Sequence, residues 1–338
     1  MNHESNTLRL HTEDIRIDIV DRFISAGTNY ISGGNLADEL SITRTAVWKH
    51  IRGLEDLGFE FDAVPRRGYR LIRSPNIILQ SLLQPYLRDD AELGSHVVWY
   101  PSVASTNVIA NQLARQPATE HGTVVAALRQ EGGKGRHGRN WNSPEGGLWM
   151  SVVLKRSFPL LRAAEVTLMA SVAVARAVET VTGVSLDIKW PNDLLYKNKK
   201  VCGILAELRA GGESVDHVVL GIGLNSNVAD AQIPHELKRI ATSLLIESGA
   251  EVNQSQLAGA ILSEFETMYR SLVNGDAGFV GVADEWRKRC VTIGRSIRVQ
   301  TPQGLVEGTA INVDNQGVLQ LRLTDGSTAA IHSGDVLF

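Results

Sequence analysis

The sequence predicts an α+β protein of three domains, which we place at residues 12–74, 77–288 and 289–338. Its 338 residues are enough for two or three domains. Apolar residues first recur at helical spacing, then alternate between strand-like and helix-like runs, and finally form short strands between glycine turns. These three patterns of apolar residues predict a helical domain with a hairpin, a mixed α/β domain and a small β-barrel, in that order.

The first domain has the pattern of a helix-turn-helix. Helical spacing begins near Glu13, after a polar amino terminus, and a short helix is expected over Asn35–Leu40. A second helix is expected over Thr43–Leu57, with its first residue as the N-cap and Gly58 as its stop. Two short strands around the turn Pro65–Gly68 then predict a hairpin, or wing, so the whole domain is predicted to be a winged helix-turn-helix.

Charge is distributed unevenly within this domain. Residues 1–42 carry three basic and seven acidic side chains, whereas residues 43–73 carry seven basic and four acidic ones. A basic second helix beside a basic wing is typical of proteins that read the major groove and hold the phosphate backbone. We therefore predict DNA binding; the alternative is an ordinary three-helix module with a solvated face. The predicted DNA-contacting residues are Arg44, Thr45, Lys49, Arg52, Arg66 and Arg67.

The rest of the chain alternates predicted strands and helices. In the middle part, strands are expected over His96–Trp99, Thr123–Leu128, Leu148–Leu154, Leu186–Trp190, Leu194–Tyr196, Val201–Leu208 and Val215–Leu224. Helices are expected from Ser105 and over Ile77–Leu87, Ala163–Val181, Gln254–Val273 and Phe279–Arg289. The strands of the barrel are expected over Ile297–Thr301, Gly304–Asp314, Gly317–Leu323 and Ser327–Ile331.

The stretch Gln130–Trp141 is unusual in composition, with four glycines and three fixed cations. Glycine lets backbone N–H groups approach a ligand closely, and successive N–H groups with Lys and Arg side chains cradle an anion. We therefore predict a phosphate or carboxylate site; the alternative is a mobile surface loop. The glycines also spell G-x-G-x-x-G, but Asn140–Pro144 breaks the helix that a dinucleotide-binding loop must open, so we reject that interpretation.

A second unusual stretch is a lysine-rich hairpin that follows Trp190. Asp193 and Lys200 lie at its two sides and should approach each other. A lysine and a carboxylate at one site can stabilise a transferring phosphoryl group and position an amine. The alternative is an exposed salt bridge of little consequence. Upstream, Ser105 begins a helix whose N-terminus is either another anion site or a plain N-cap.

Five motifs occur in order along the chain and carry a resemblance. They are Ser105–Asn107, Gly133–Arg139, Lys189–Asp193, Lys200–Glu207 and Gly221–Asn225. Each is weak alone, but together they resemble a biotin–protein ligase. With the winged helix in front, residues 14–338 resemble the bifunctional bacterial family whose members also repress the biotin biosynthetic genes.

The resemblance implies a class II synthetase-like catalytic domain and a two-step reaction. ATP activates biotin as biotinyl-5′-AMP, and biotin then passes to a lysine of a biotin carboxyl carrier protein. Mg²⁺ is expected on the ATP phosphates and not on a set of protein ligands. The resemblance also implies that the protein binds operator DNA as a homodimer, which bound adenylate favours.

The resemblance assigns roles to individual residues. Lys200 would bridge the biotin carboxylate and the phosphate, Asp193 would help the acceptor lysine to attack, and Arg136 would complete the catalytic set. Biotin would contact Ser105, Thr106, Asn107, Gln130, Gly133, Lys134, Gly135, Arg136 and Lys200. The adenylate would contact Arg136, Arg139, Trp141, Asn192, Lys200 and Asn225.

Two positions depart from the family pattern. Lys134 stands where some members have arginine, which keeps the charge but loses the planar fork. Ile240–Leu244 lacks the tryptophan that some members stack on adenine, so the adenine contact stays unassigned.

A lipoate ligase and a non-enzymatic regulator that only senses biotin are the two other interpretations. The glycine-rich loop and the terminal β-domain argue against the first, and Lys200, Asp193 and Arg136 argue against the second.

Cysteine usage and hydropathy bear on the compartment. Only two cysteines occur in the chain, which excludes a disulfide framework and favours a reducing cytoplasm. The polar amino terminus lacks the features of a signal peptide. The longest apolar stretch, Val166–Val178, is interrupted by Arg176 and is too short to span a bilayer. We therefore expect a cytoplasmic protein that does not enter a membrane.

Overall fold

The computed structural model describes residues 15–337 of the chain. They form two compact units, one ending at Leu82 and the other beginning at Leu83. The predicted helix start at Glu13 lies outside the described residues. Among residues 15–337, no helix combines the length and the apolar character needed to cross a membrane.

The amino-terminal unit holds three helices and a two-stranded hairpin. Its elements are α1 (residues 15–26), α2 (Gly33–Glu39), α3 (Arg44–Glu55), β1 (Glu60–Val64) and β2 (Gly68–Arg73). Helix α3 begins as predicted, because the Thr43 hydroxyl accepts a hydrogen bond from the Ala46 N–H at 3.1 Å. Val47, Ile51 and Leu54 turn inward from α3, so its cationic side chains face solvent.

A seven-stranded sheet forms the centre of the second unit. Its strands are β3 (Val97–Val103), β4 (Val124–Gln130), β5 (Leu148–Leu154), β6 (Asp187–Lys189), β7 (Asp193–Tyr196), β8 (Lys199–Gly211) and β9 (Ser214–Leu224). They lie in the order β3-β4-β5-β9-β8-β7-β6, with β3 and β4 parallel and the other neighbours antiparallel. Between β7 and β8, Lys197 and Asn198 have φ of 47° and 66°, which is the geometry of a two-residue hairpin turn.

The helices that follow the hairpin keep most of the predicted positions, and the first of them ends at Leu83, where the second unit begins. They are α4 (Gln80–Leu83), α5 (Thr106–Ala114), α6 (Ala163–Thr182), α7 (Leu244–Ser248), α8 (Gln254–Val273) and α9 (Ala283–Arg289). The small side chains of Ala110 and Ala114 let α5 pack closely on Val125, Val153 and Val219 of the sheet. Helix α6 packs against α8 and ends at Gly183 in the left-handed conformation.

Two predicted helices are shorter than expected, and each interruption has a local cause. The helix predicted over Ile77–Leu87 is α4 followed by a 3-10 turn at Gln84–Tyr86, since a proline within that turn has no N–H for an α-helical bond. The helix predicted over Phe279–Arg289 is a 3-10 turn at Gly278–Val282 followed by α9. Glycine is a weak helix former, and that turn contains two glycines.

A second sheet follows, formed by the carboxy-terminal strands. They are β10 (Ser296–Thr301), β11 (Gly304–Val313), β12 (Leu319–Arg322), β13 (Thr328–Ile331) and β14 (Asp335–Leu337). Their order is β13-β12-β11-β10-β14. The first four were predicted and the short β14 was missed. The three residues of β14 pair with β10, and within residues 15–337 β14 does not pair with β13. The predicted barrel is therefore an open antiparallel sheet.

Candidate functional site

A cavity of about 290 Å³ lies in the second unit, where the β7–β8 hairpin, β9 and the start of α5 meet the glycine-rich loop. The same cavity receives residues from every one of the five motifs. The sequence-predicted ligand and catalytic residues that line it are Ser105, Thr106, Asn107, Gln130, Lys134, Gly135, Arg136, Arg139, Trp141, Asn192, Asp193, Lys200 and Asn225.

The glycine-rich loop is folded back on itself. The Gly135 N–H donates to the Arg139 carbonyl at 2.7 Å, and the Trp141 N–H donates to the Gly133 carbonyl at 2.8 Å. At the tip, His137 has a φ of 56°, an uncommon value outside glycine. A Cβ on Gly133 would lie 2.5 Å from the Trp141 carbonyl oxygen. Gly133 therefore permits the fold-back, and its neighbours line the cavity.

Strand β14 contributes a carboxylate around which the loop cations gather. Arg139 forms an ion pair with Asp335. Arg136 and His137 approach the same carboxylate at 3.8 Å and 3.7 Å, and the Asp335 side chain is 20% exposed. The sequence analysis missed Asp335, because nothing in the pattern of β14 distinguishes its acid from a solvated one.

Arg136 reaches from the loop to the residue before β14 and to the turn between β6 and β7. Its Nη1 donates to the Gly334 carbonyl at 3.1 Å and lies 3.5 Å from Asn192 Oδ1. Burial lowers the pKa of its guanidinium, and the carboxylate of Asp193 opposes that shift. Because an arginine starts from so high a pKa, it remains a cation at neutral pH, so Arg136 brings a half-buried positive charge into the cavity.

The first turn of α5 is held by a buried polar network. Gln130 Oε1 accepts from the Thr106 N–H at 2.8 Å. Ser151 Oγ lies 2.7 Å from Thr106 Oγ1 and 2.6 Å from Asn107 Oδ1, and the Asn107 amide donates to Glu207 at 2.8 Å. Each of these side chains has its orientation fixed by a partner, so this end of the cavity is preorganised.

Lys200 and Asp193 are neighbours, as the predicted hairpin required. Lys200 Nζ lies 2.7 Å from Asp193 Oδ1 and 4.9 Å from the centroid of the Trp141 ring. The side chains of Lys200 and Asp193 are 31% and 21% exposed. A half-buried cation next to a carboxylate and an aromatic face is a better defined arrangement than an exposed salt bridge.

Glycines in two adjacent strands make room for the cavity. A Cβ on Gly221 of β9 would lie 2.1 Å from Asn107 Oδ1, and one on Gly223 would lie 2.7 Å from Trp141 Nε1. Across the ladder, a Cβ on Gly203 would lie 3.2 Å from the Trp141 ring. Glycine inside a strand often marks a close approach, and here these positions admit two site residues.

Trp141 and the opposite wall complete the cavity. The buried Nε1 of Trp141 has no hydrogen-bond partner within residues 15–337. Asn225 Nδ2 donates to the Thr242 carbonyl at 2.9 Å. The remaining wall is apolar and was not predicted, because it lies in short turns without periodicity. It consists of Ile233, Pro234, Leu237, Ile240 and Ala241.

The predicted DNA-contacting residues lie on two surfaces of the amino-terminal unit. The α3 surface and the β1–β2 turn both expose them to solvent: Arg44, Thr45, Lys49, Arg52, Arg66 and Arg67. The Arg67 guanidinium lies 4.3 Å from the ring centroid of Tyr30, and Tyr30 donates to Asp62 at 2.5 Å. The base of the wing is therefore tied to the segment before α2.

Three family models match separate parts of the chain. A helix-turn-helix domain model matches residues 16–70. The model of the biotin/lipoate A/B protein ligase family matches residues 99–225, and the model of the biotin protein ligase C-terminal domain matches residues 292–338.

Named proteins match over most of the chain. The bifunctional ligase/repressor BirA of Bacillus subtilis is 39% identical over 323 residues, which are 95% of this chain and 98% of that protein. The biotin–[acetyl-CoA-carboxylase] ligase of Mycobacterium tuberculosis is 34% identical over 69% of this chain and 85% of its own. A biotin protein ligase from Aquifex aeolicus, solved with biotin and ATP, superposes with a TM-score of 0.61 at 27% identity, over 72% of this chain and 97% of that one.

Proposed function

The chain belongs to the family of bifunctional biotin–protein ligases and repressors, and we propose that its cavity holds biotin and ATP while the two are joined. The protein activates biotin with ATP to biotinyl-5′-AMP and transfers biotin to a lysine of a biotin carboxyl carrier protein. It also acts as a biotin-responsive repressor of biotin biosynthesis genes. One observation carries the catalytic proposal: residues from all five motifs line one cavity.

The first step brings two anions together. A carboxylate oxygen of biotin attacks the α-phosphorus of ATP, and the bond from that phosphorus to pyrophosphate breaks. Cations and N–H groups must offset the repulsion between carboxylate and phosphate. We assign Lys200 to the junction of the two groups, with Arg136 and Lys134 beside it. Their convergence on the cavity and the position of Lys200 over Trp141 support this assignment.

The second step needs a neutral amine. The acceptor lysine attacks the acyl carbon of biotinyl-5′-AMP, and the bond from that carbon to the phosphate oxygen of AMP breaks. We assign Asp193 to accept the hydrogen bond, and then the proton, of the attacking amine. The contact of Asp193 with Lys200 at 2.7 Å supports this role, since it places the carboxylate next to the reacting junction.

The preorganised end of the cavity suits the ureido group of biotin, which carries both donors and acceptors but no charge. We propose that the polar side chains around the start of α5 bind the ureido ring of biotin. Removing water from a neutral polar ring is favourable only where fixed partners replace the water, and Ser151 and Glu207 supply that fixation. The proposed biotin contacts are Ser105, Thr106, Asn107, Gln130, Lys134, Gly135, Arg136 and Lys200, with Gly133 shaping the loop.

The adenylate would occupy the side of the cavity between Trp141 and the apolar wall. Trp141 lines the cavity on this side, with the Lys200 ammonium over its ring. The apolar wall stands where some relatives carry a stacking tryptophan, and we propose that it packs against the adenine. The proposed adenylate contacts are Arg136, Arg139, Trp141, Asn192, Lys200 and Asn225.

Further properties follow from family membership and are part of the proposal. The catalytic domain would be class II synthetase-like, within the divisions 12–74, 77–288 and 289–338. Mg²⁺ would arrive on the ATP phosphates and help offset their charge. The protein would work in the cytoplasm, where Cys202 and Cys290 remain free thiols.

The repressor activity would use two copies of the chain. One winged helix reads one half-site, so a palindromic operator needs a two-fold dimer. We propose that bound adenylate favours the homodimer and thereby couples biotin supply to transcription. The exposed cations of α3 and of the wing support the DNA contact.

The decisive experiment is incubation of the protein with ATP, Mg²⁺, biotin and a carrier domain, followed by mass measurement of the carrier. Addition of one biotin is the expected result. Lipoate in place of biotin tests the alternative ligase, and pyrophosphate release tests activation separately. A carrier mass that stays unchanged while biotin still alters DNA binding would establish the non-enzymatic regulator instead.

The loop has its own test. We propose that it is mobile without ligand and closes over the adenylate to exclude water from the mixed anhydride. Trypsin cleavage at Arg136 and Arg139 should slow when biotin and ATP are added. Arg136→Gly should release adenylate faster, while Arg129→Gly, which removes an exposed arginine paired with Glu145, should retain it. Equal cleavage and equal retention would remove the loop from the mechanism.

A further inference from the structure

The amino-terminal unit exposes one large aromatic side chain that neither its core nor the proposed DNA contacts use. Trp48 lies on α3, and 49% of its surface is exposed. By contrast, Val47 and Ile51, which lie on the core-facing side of the same helix, are buried. A tryptophan on the outer face leaves a large apolar area in water, which is unusual for this residue type.

Helical spacing groups Trp48 with three of the proposed DNA contacts. Residues three, four and seven apart share one face of a helix, so Thr45, Trp48, Lys49 and Arg52 lie side by side, and all four are exposed. The Arg52 guanidinium lies 5.7 Å from the Trp48 ring centroid and donates to Glu55 at 2.9 Å. The indole is therefore held at the centre of a polar and cationic face.

We propose that Trp48 packs against the C5-methyl group of a thymine in the major groove of the operator. The inference rests on the proposed DNA contacts of α3. Base edges in the major groove are polar except for that methyl group, so it is the apolar partner that an indole on this face would meet. Trp48 also lies in the first half of α3, the part of a second helix that reaches base edges.

The test uses the full-length protein with biotin, ATP and Mg²⁺. A high-affinity duplex is first selected from a pool of random sequence. Each thymine of that duplex is then replaced singly by uracil, which removes only the methyl group. Equilibrium dissociation constants are measured for the wild type, Trp48→Ala and Trp48→Phe. Ile72→Ala is the matched control, since Ile72 is also an exposed apolar residue of this unit, at 54%, but lies outside α3.

For the wild type, uracil at one position in each half-site should weaken binding by about tenfold. Trp48→Ala removes the contact from both protomers of the proposed dimer, so it should lose about the square of that factor, about 100-fold, on the unmodified duplex and nothing further at that position on the uracil duplex. Trp48→Phe should keep part of the sensitivity. Because no charge changes, the slope of log K against log salt should stay the same in Trp48→Ala, whereas Lys49→Ala should lower its magnitude by about two, one for each protomer of the proposed dimer.

Each other result has a defined meaning. If Trp48→Ala binds the selected duplex as tightly as the wild type, or loses affinity without coupling to any uracil position, the proposal for Trp48 is overturned while DNA binding stands. If the pool yields no enriched sequence, DNA binding itself fails and the proposal fails with it. Biotin transfer to the carrier should be unchanged in the tryptophan variants and in Ile72→Ala, which shows that the second unit is intact, and unchanged helical circular dichroism should show that the amino-terminal unit stays folded.

Discussion

Lys200 is the side chain on which the proposed chemistry depends most. Its ammonium contacts Asp193 at 2.7 Å and lies over the Trp141 ring, and both neighbours line the cavity. A half-buried cation held by two neighbours needs little reorganisation when charge develops on the transferring phosphoryl group. A mobile surface lysine would lose that advantage through its hydration and its rotamer freedom.

We therefore expect Lys200→Gln to lower the rate of adenylate formation by about 100-fold or more. The glutamine keeps much of the length and polarity but removes the charge. Pyrophosphate release with biotin and ATP is the measurement. Lys197→Gln changes the same charge in the exposed turn of the same hairpin, and its rate should stay near that of the wild type. Equal losses in both variants would show that net charge, and not the position of Lys200, matters.

Whether two site residues could be predicted to lie together depended on how far apart they are in the sequence. Lys200 and Asp193 were placed together because a hairpin fixes the pairing of nearby residues. Ser105 and Gln130 each belong to a segment that the sequence marked as a possible anion site, but only the resemblance placed the two segments together, and the structure shows a hydrogen bond from the Thr106 N–H to Gln130 Oε1. Asp335 could not be predicted, since no local pattern relates it to a loop almost two hundred residues earlier.

At the scale of elements, the glycine-rich loop is held by ionic contacts with β14. Three loop residues that carry positive or titratable groups surround the Asp335 carboxylate. Two of them, Arg136 and Arg139, are also assigned to the adenylate. The carboxylate therefore holds the loop cations near the positions where the anionic ligand would need them, and it competes with that ligand.

Asp335→Asn should loosen the ligand-free loop. Losing a half-buried ion pair should raise the population of open conformers about fivefold, so trypsin should cut at Arg139 faster by a similar factor. Biotin and ATP should restore protection, because the ligand supplies its own negative charge. Asp325→Asn is the control: it changes an exposed carboxylate in the β12–β13 turn that accepts from the Ser327 N–H. If both variants are cut alike, Asp335 does not hold the loop.

Elements were predicted best where burial makes the pattern strong. The run Leu148–Leu154 is buried throughout, and continuous apolar runs of this length predict central strands well. The apolar wall between residues 233 and 241 gave no such signal, because its 3-10 turns have no lasting period. Barrel closure was predicted wrongly since it depends on which edges pair, and local sequence does not fix that.

At the scale of the whole molecule, the free energy of unfolding should depend on the protonation of one partly buried histidine, His121. His121 Nδ1 accepts a hydrogen bond from the Lys155 N–H at 3.0 Å, which requires an unprotonated nitrogen. Burial lowers the pKa of His121 from 6.5 to about 4, although Glu92 nearby opposes the shift. Burial outweighs Glu92, because the Nδ1 hydrogen bond favours the same neutral form and the contact with Glu92 is 3.5 Å long.

The direction in which pH changes the free energy of unfolding follows from proton binding in the unfolded and folded states. Below a pH of about 6.5 the unfolded chain binds a proton at this histidine, while the folded protein does not until the pH nears 4. The free energy of unfolding should therefore fall by about 2 kcal/mol between pH 7.5 and pH 5 from this group alone. His121→Asn keeps an acceptor but cannot titrate. Urea unfolding at several pH values should show a smaller fall for the variant, and identical curves would contradict the assignment.

Ligand binding and DNA binding should be linked through the proposed dimer. If adenylate raises the affinity for the operator by some factor, thermodynamic reciprocity requires that operator DNA raises the affinity for adenylate by the same factor. Couplings of this kind commonly lie between about 5-fold and 150-fold. Two titrations measure it: the dissociation constant for the operator with and without biotin and ATP, and the dissociation constant for the adenylate with and without the duplex. Arg66→Ala should weaken DNA binding in both states and leave the ratio intact, because Arg66 lies in the wing turn and not in the cavity. A ratio of one in both titrations would mean that adenylate binding and operator binding are not coupled in this protein.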